Sequence, residues 1–342
     1  MDRWDRVGRW AAYGAASALV PYLLVKVVWV VGALLGVLPI GAGFGLGGWV
    51  LLNGVTVGMA ALGIGLALAL VRPWGLRLPG RPVAFCGWTG AGFLVSVLPY
   101  AVGAALLPGG AGDQAGGGEP VLPGWEAALI QYSFVGTGIG LAVALPGYAR
   151  RRWPELFAGR LRDGRRGPVP WPAVLGALVG GVWLYWALGG AWGIDRPALR
   201  TVEGGLLTGL SALWALAASA AVGVLARARP ARWRRWPVCG IGWLGSGSMF
   251  AWSGWKLVGV VAVALVRPAG VPLPENLVAA GALHLAAVVA GGGMARRLAG
   301  AGRRGGRAPV VRGRGDADAG GVGPAAWVPP EGRPQGQGQG RG

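Results

Sequence analysis

The sequence predicts an all-α fold: a polytopic membrane helix bundle of eight transmembrane helices, arranged as four parallel-repeat helical hairpins. Three observations predict it. Hydrophobic residues make up 54% of the 342 and charged residues only 13%, against about 25% charged in a soluble globular domain. Apolar stretches of about 20 residues, the length that spans a bilayer core, recur along the chain. The basic residues fall almost wholly on alternate loops.

In order, the stretches cover residues 11–38, 49–71, 83–107, 125–145, 171–188, 204–226, 237–266 and 276–294. Gly and Pro between them mark turns, as in 39–48 and 108–124. The first stretch is too long for the apolar core of a cleavable signal peptide. Residues 1–10 form a short cytoplasmic N-terminus and 11–295 the transmembrane domain. From 296 to 342 the chain turns to Gly, Pro, Arg and Gln, cannot bury a core, and is expected to be a disordered cytoplasmic tail.

Arginine sets the orientation. Of 30 arginines, 27 lie at the N-terminus, in the loops after spans two, four and six, and in the C-terminal tail; only Arg196, Arg200 and Arg267 lie on the other side. The positive-inside rule then puts both termini in the cytoplasm, in a bacterial plasma membrane. An odd number of spans would break the alternation. A formal net charge of +19 suggests nucleic acid in a soluble chain. Here the charge is explained by topology and by contact with anionic lipid headgroups, so the bilayer is the expected partner and nucleic acid is not. A partner membrane subunit, or a second copy of the chain, is the other expected class of partner.

The hairpins read as a repeat. Trp10, Trp88, Trp171 and Trp243 each open an odd-numbered span, and an aromatic follows twelve residues later: Tyr22, Tyr100, Trp183 and Trp255. Trp88-x-Gly90-x-Gly92 matches Trp243-x-Gly245-x-Gly247. Glycine pairs four apart, Gly32/Gly36, Gly54/Gly58, Gly136/Gly140, Gly176/Gly180 and Gly205/Gly209, are positioned to let helix backbones approach closely.

Lysine carries the candidate chemistry. Lys26 and Lys256 are the only lysines, and the only basic residues inside spans. Each lies about 12 residues, or roughly 18 Å, from the outer end of its helix. An ionisable side chain at that depth marks a functional site or a buried pairing. The candidate polar core joins Lys26 and Lys256 to His284, Gln131, Tyr132 and Asn53, with Glu126, Glu203 and Glu275 at the outer rim. The structural alternative is that the lysines snorkel or pair with a neighbouring carbonyl or acid. His284 is the sole histidine, without a Cys or acid cluster beside it, so no metal and no cofactor are expected. Cys86 and Cys239 read as buried reduced thiols. Ser246 or Ser248 with His284 loosely resembles the serine–histidine dyad of rhomboid-type intramembrane proteases.

With its Ala/Gly/Arg bias and runs such as Pro21-Tyr-Leu-Leu-Val-Lys-Val-Val-Trp29, the chain over residues 1–300 resembles uncharacterised multi-pass membrane proteins of high-GC actinobacteria. That resemblance implies no activity. Three readings follow: a protein moving or sensing a small solute or ion through a lysine-containing core, a non-catalytic scaffold or accessory subunit, and an intramembrane serine enzyme. No catalytic residue is assigned under the first two.

Overall fold

The structure, a computed structural model, describes residues 3–41, 45–106, 124–164, 166–266 and 276–305. Nine helices lie among them: α1 Arg3–Leu34, α2 Leu46–Ala69, the short α3 Pro73–Arg77, α4 Gly80–Leu106, α5 Gly124–Arg152, α6 Trp171–Ala187, α7 Val202–Arg227, α8 Arg235–Val266 and α9 Leu277–Gly305. Each predicted stretch falls on one long helix. Among the described residues there is no strand, only one isolated bridge between Arg160 and Arg234. Among the described residues six helices are long and apolar enough to cross a membrane: α1, α2, α4, α5, α7 and α9. At 17 residues α6 is apolar but shorter. The first half of α8 carries Gly, Ser and Trp, which lowers its hydropathy.

Of the boundaries that differ from expectation, three bear on the termini and the first turn. Residues 3–10 belong to α1 rather than to a separate terminus. α1 stops at Leu34, four residues early. There the chain turns left-handed at Gly36 (φ +69°), and the N–H groups of Val37 and Leu38 both donate to the Gly32 carbonyl. That geometry closes a helix C-terminus and favours glycine. At the other end α9 runs on to Gly305, so 296–305 is helical. The rest of the predicted tail lies outside the described residues.

Local caps explain other starts. The Thr201 hydroxyl accepts from Gly204 N–H at 3.0 Å, and Asn276 Oδ1 accepts from Val278 and Ala279 N–H. Both satisfy donors that a helix start leaves open.

α1 packs between α2 and α5. Small residues make the contact: a Cβ on Gly136 would meet Ala18, and one on Gly140 would meet Ala15 and the Ala11 carbonyl. Ala12, Ala15, Ala67, Leu141, Ala144 and Tyr148 fill the core there. A second core joins α6, α7, α8 and α9 through Val179, Trp183, Ala215, Met249, Ala287 and Met294. α4 links the two, packing on α8, on α5 and on α7.

One end of the bundle gathers the basic segments. Arg151 and Arg152 at the end of α5 donate to the carbonyls of Leu70, Leu76 and Leu78 in the α2–α4 connection, at 2.7, 2.8 and 2.6 Å. Leu161 N–H donates to the Trp233 carbonyl and Arg162 N–H to that of Ala231, so the loops after α5 and α7 lie together. The Arg72 guanidinium stands 5.6 Å from the Tyr13 ring, near the start of α1. At the opposite end Asn276 donates to the Asp195 carboxylate at 3.1 Å.

The repeat anchors occupy unlike surroundings. Trp10 is 75% exposed and Trp88 5%. α1 packs against α5 as well as against its hairpin partner α2, whereas α4 packs chiefly on α8.

Candidate functional site

Two polar clusters lie between the helices, Lys26 buried in the first and Lys256 exposed at the second. The first surrounds Lys26. Tyr22, Lys26 and Trp29 stand four and three residues apart on α1, which puts them on one helix face. Lys26 is 4% exposed. Its Nζ lies 3.9 Å from the Trp29 ring centroid and 5.8 Å from that of Tyr22. Trp29 stacks on Trp49 of α2 at 5.7 Å, and Tyr22 meets Phe134 of α5 at 5.0 Å. An ammonium over an indole face is attracted by the ring quadrupole, and more strongly where water is excluded. Asn53 is buried one turn along α2 and donates Nδ2–H to the Trp49 carbonyl of its own helix at 3.0 Å. Gln131 is half-buried on α5, and Tyr132 beside it is exposed.

The second cluster is a cavity between α6, α7, α8 and α9. Its volume is about 20 Å³, and Trp183, Thr208, Ser211, Ser248, Met249, Trp252, Ser253, Lys256 and His284 line it. A space of this size holds one water-sized particle. Ser246, Met249, Ser253 and Lys256 fall at helical spacing along one face of α8. His284 Nδ1 lies 3.3 Å from Ser253 Oγ, and its ring packs 6.0 Å from that of Trp183. Ser248 Oγ shares a 2.8 Å hydrogen bond with Ser96 Oγ of α4. Thr208 and Ser211 donate to the carbonyls one turn back on α7, Gly204 and Leu207, at 2.7 and 2.8 Å. Their oxygen lone pairs therefore remain open as acceptors.

The structure thus divides the predicted polar core. Lys256 and His284 share the cavity. Lys26, Asn53 and Gln131 belong to the α1–α2–α5 cluster, because α1 packs on α2 and α5 and not against α9. Glu203 is half-buried in the first turn of α7 and does not line the cavity. The Glu126 side chain and Glu275 lie outside the described residues. The serine in contact with His284 is Ser253. Ser246 instead accepts from Trp88 Nε1–H at 3.2 Å and donates to the Trp243 carbonyl. Cys86 is exposed and Cys239 half-buried, because the Cys86 face of α4 turns outward. Among the described residues no three His, Cys, Asp or Glu side chains converge as metal ligands.

Sequence reading missed Ser253, Ser211, Thr208 and Trp252. The signal for Ser253 was present: it precedes Lys256 by three residues, one turn away on the same face. Compared with known proteins, the chain matches no family model, no curated protein sequence and no solved structure.

Proposed function

We propose that this protein crosses a bacterial plasma membrane eight times, both termini cytoplasmic, and binds a small polar solute or ion in the α6–α9 cavity in order to move or sense it. The carrying observation is that cavity. Four hydroxyl side chains and an imidazole, all buried or half-buried, line it with the exposed Lys256, where packing alone would favour apolar side chains.

The gathering of basic segments at one end favours an even number of crossings and a cytoplasmic face there. α6 spans about 26 Å at 1.5 Å per residue, near the thickness of a bilayer core. The repeat draws support from the contact of Gly92 with Gly247, which are matched positions of the second and fourth hairpins.

Silver labelling tests the reading. Ser211→Cys is placed in a background with Cys86→Ser and Cys239→Ala, and the chain is reconstituted in lipid. Ag⁺ is small enough for a narrow cavity, so protection of the thiol from later alkylation supports a water-reachable site. A thiol that never meets Ag⁺ favours the second reading, a non-catalytic scaffold. That reading draws on the aromatic enclosure of Lys26, which packs the α1–α2–α5 cluster without a solute.

A further inference from the structure

We infer that Arg160 and Arg234 form a clamp for the phosphate of an anionic phospholipid headgroup in the cytoplasmic leaflet; this rests on that end of the bundle being cytoplasmic, as proposed above. Backbone geometry comes first. The loops after α5 and α7 meet as an antiparallel bridge between Arg160 and Arg234. Leu161 N–H donates to the Trp233 carbonyl at 3.0 Å, and Arg235 N–H to that of Gly159 at 3.3 Å. These hydrogen bonds flank the arginine pair rather than join it. In such a pair the two Cα atoms stand about 4.5 Å apart, and both side chains leave on the same face. Leu161 is buried against Ala221 and Val238 and seats the loop on the bundle. Arg160 and Arg234 are exposed.

Like charges directly opposite each other destabilise a bridge. Among the described residues no carboxylate relieves this pair. Asp163 accepts from the Arg160 backbone N–H at 2.7 Å, and its ion pair is with Arg162, at 3.6 Å. A phosphate between the two guanidinium groups would meet two planar forks of N–H donors and offset their repulsion. Depth in the membrane favours a lipid as its source. Arg234 immediately precedes α8, and the indoles of Trp233 and Trp236 on either side are 50% and 43% exposed. Exposed tryptophan at a helix end marks the level of the headgroups.

The test is native mass spectrometry of the full chain in detergent micelles, with phosphatidylglycerol or phosphatidylcholine added in equal amount. Selective retention of phosphatidylglycerol is expected. Arg160→Gln combined with Arg234→Gln should lower that retention about tenfold, as the loss of two interfacial arginines implies. Arg77→Gln combined with Arg81→Gln removes the same charge from another loop and should leave retention unchanged. An equal loss in both double variants would mean diffuse attraction and overturn the clamp, as would unchanged retention in the first. If the first double variant does not fold, a photoactivatable phosphatidylglycerol decides on the native chain. Adducts within 153–170 or 228–236 support the clamp, and adducts confined to other segments overturn it. Displacement of the lipid by inorganic phosphate, or by a glutamate-rich peptide, overturns the headgroup in favour of a free anion or of an acidic protein. The topology is read separately, from Ala158→Cys in the background with Cys86→Ser and Cys239→Ala. Labelling of that thiol by an impermeant maleimide from outside the cell overturns the cytoplasmic leaflet together with the proposed orientation, whereas the lipid measurements bear on the clamp alone.

Discussion

Gly92 of α4 and Gly247 of α8 meet backbone to backbone, with no side chain between them. A Cβ on Gly92 would overlap the Gly247 carbonyl group, and one on Gly247 would overlap the Trp88 carbonyl. Trp88, Trp214 and Trp252 surround the crossing, each donating its indole N–H across a helix boundary, to Ser246, Val95 and Phe93. In lipid, where the hydrophobic effect does not drive helices together, such close packing and hydrogen bonding supply the attraction.

Gly92→Ala and Gly247→Ala should therefore each destabilise the fold by about 1–3 kcal/mol, the usual cost of overpacking. Gly58→Ala is the control. Nothing lies within 4 Å of its Cβ position, so it should be neutral or stabilise by up to about 1 kcal/mol through helix propensity. Unfolding midpoints in a detergent titration read the difference. Equal midpoints for Gly92→Ala and Gly58→Ala would contradict the crossing.

Arg152 acts as a clamp on the α2–α4 connection. Its two terminal nitrogens reach the Leu76 and Leu78 carbonyls, and Nη1 also donates to Tyr148 Oη at 3.2 Å. Arg152→Ala should loosen residues 70–80 and cost about 1–3 kcal/mol, as charged hydrogen bonds do. Arg152→Lys should rescue only part, since an ammonium lacks the fork that holds two carbonyls at once. Amide exchange confined to that connection checks both variants.

The helices were legible because lipid demands long apolar runs, and period and composition report those directly. The alternation of basic loops was legible too: the loops after α2, α5 and α7 that carry arginine gather at one end. Helix neighbours were not legible. Of the five glycine pairs, Gly136/Gly140 and Gly176/Gly180 face a neighbouring helix closely, while Gly54 and Gly58 meet nothing within 4 Å; spacing alone does not say which face turns inward. The candidate site failed for the same reason. Lys26 and Lys256 look equivalent along the chain, but α1 packs with α2 and α5 and α8 with α7, α9 and α4. One lysine is thus buried against tryptophan and the other exposed beside a cavity.

Ser219 on α7 is buried, and its hydroxyl has no hydrogen-bond partner among the described residues. It lies where a Cβ on Gly176 would point. Removing an unsatisfied hydroxyl while keeping the Cβ removes a desolvation cost and little packing. Ser219→Ala should leave the unfolding midpoint unchanged or raise it by the equivalent of about 1–2 kcal/mol. A fall in the midpoint would mean that the hydroxyl is satisfied in the membrane.

Lys26 and Trp29 allow charge to be separated from shape. The ammonium rests 3.9 Å from the indole centroid, an attraction of about 2 kcal/mol where water is excluded. Lys26→Met keeps the stem but removes both the attraction and the cost of a buried charge, so its net effect on stability should be small. Trp29→Leu keeps the charge and takes away the face it rests on, as well as the stack on Trp49. Trp29 supplies one contact of a buried ammonium as well as core packing, so Trp29→Leu should cost about 3–5 kcal/mol, in the range of large core truncations. The double variant should then be less destabilised than the two single losses added together, because Lys26→Met relieves what Trp29→Leu creates. Unfolding midpoints of the four proteins give the coupling. Strict additivity would mean that Trp29 stabilises by packing alone and that the lysine charge is balanced elsewhere.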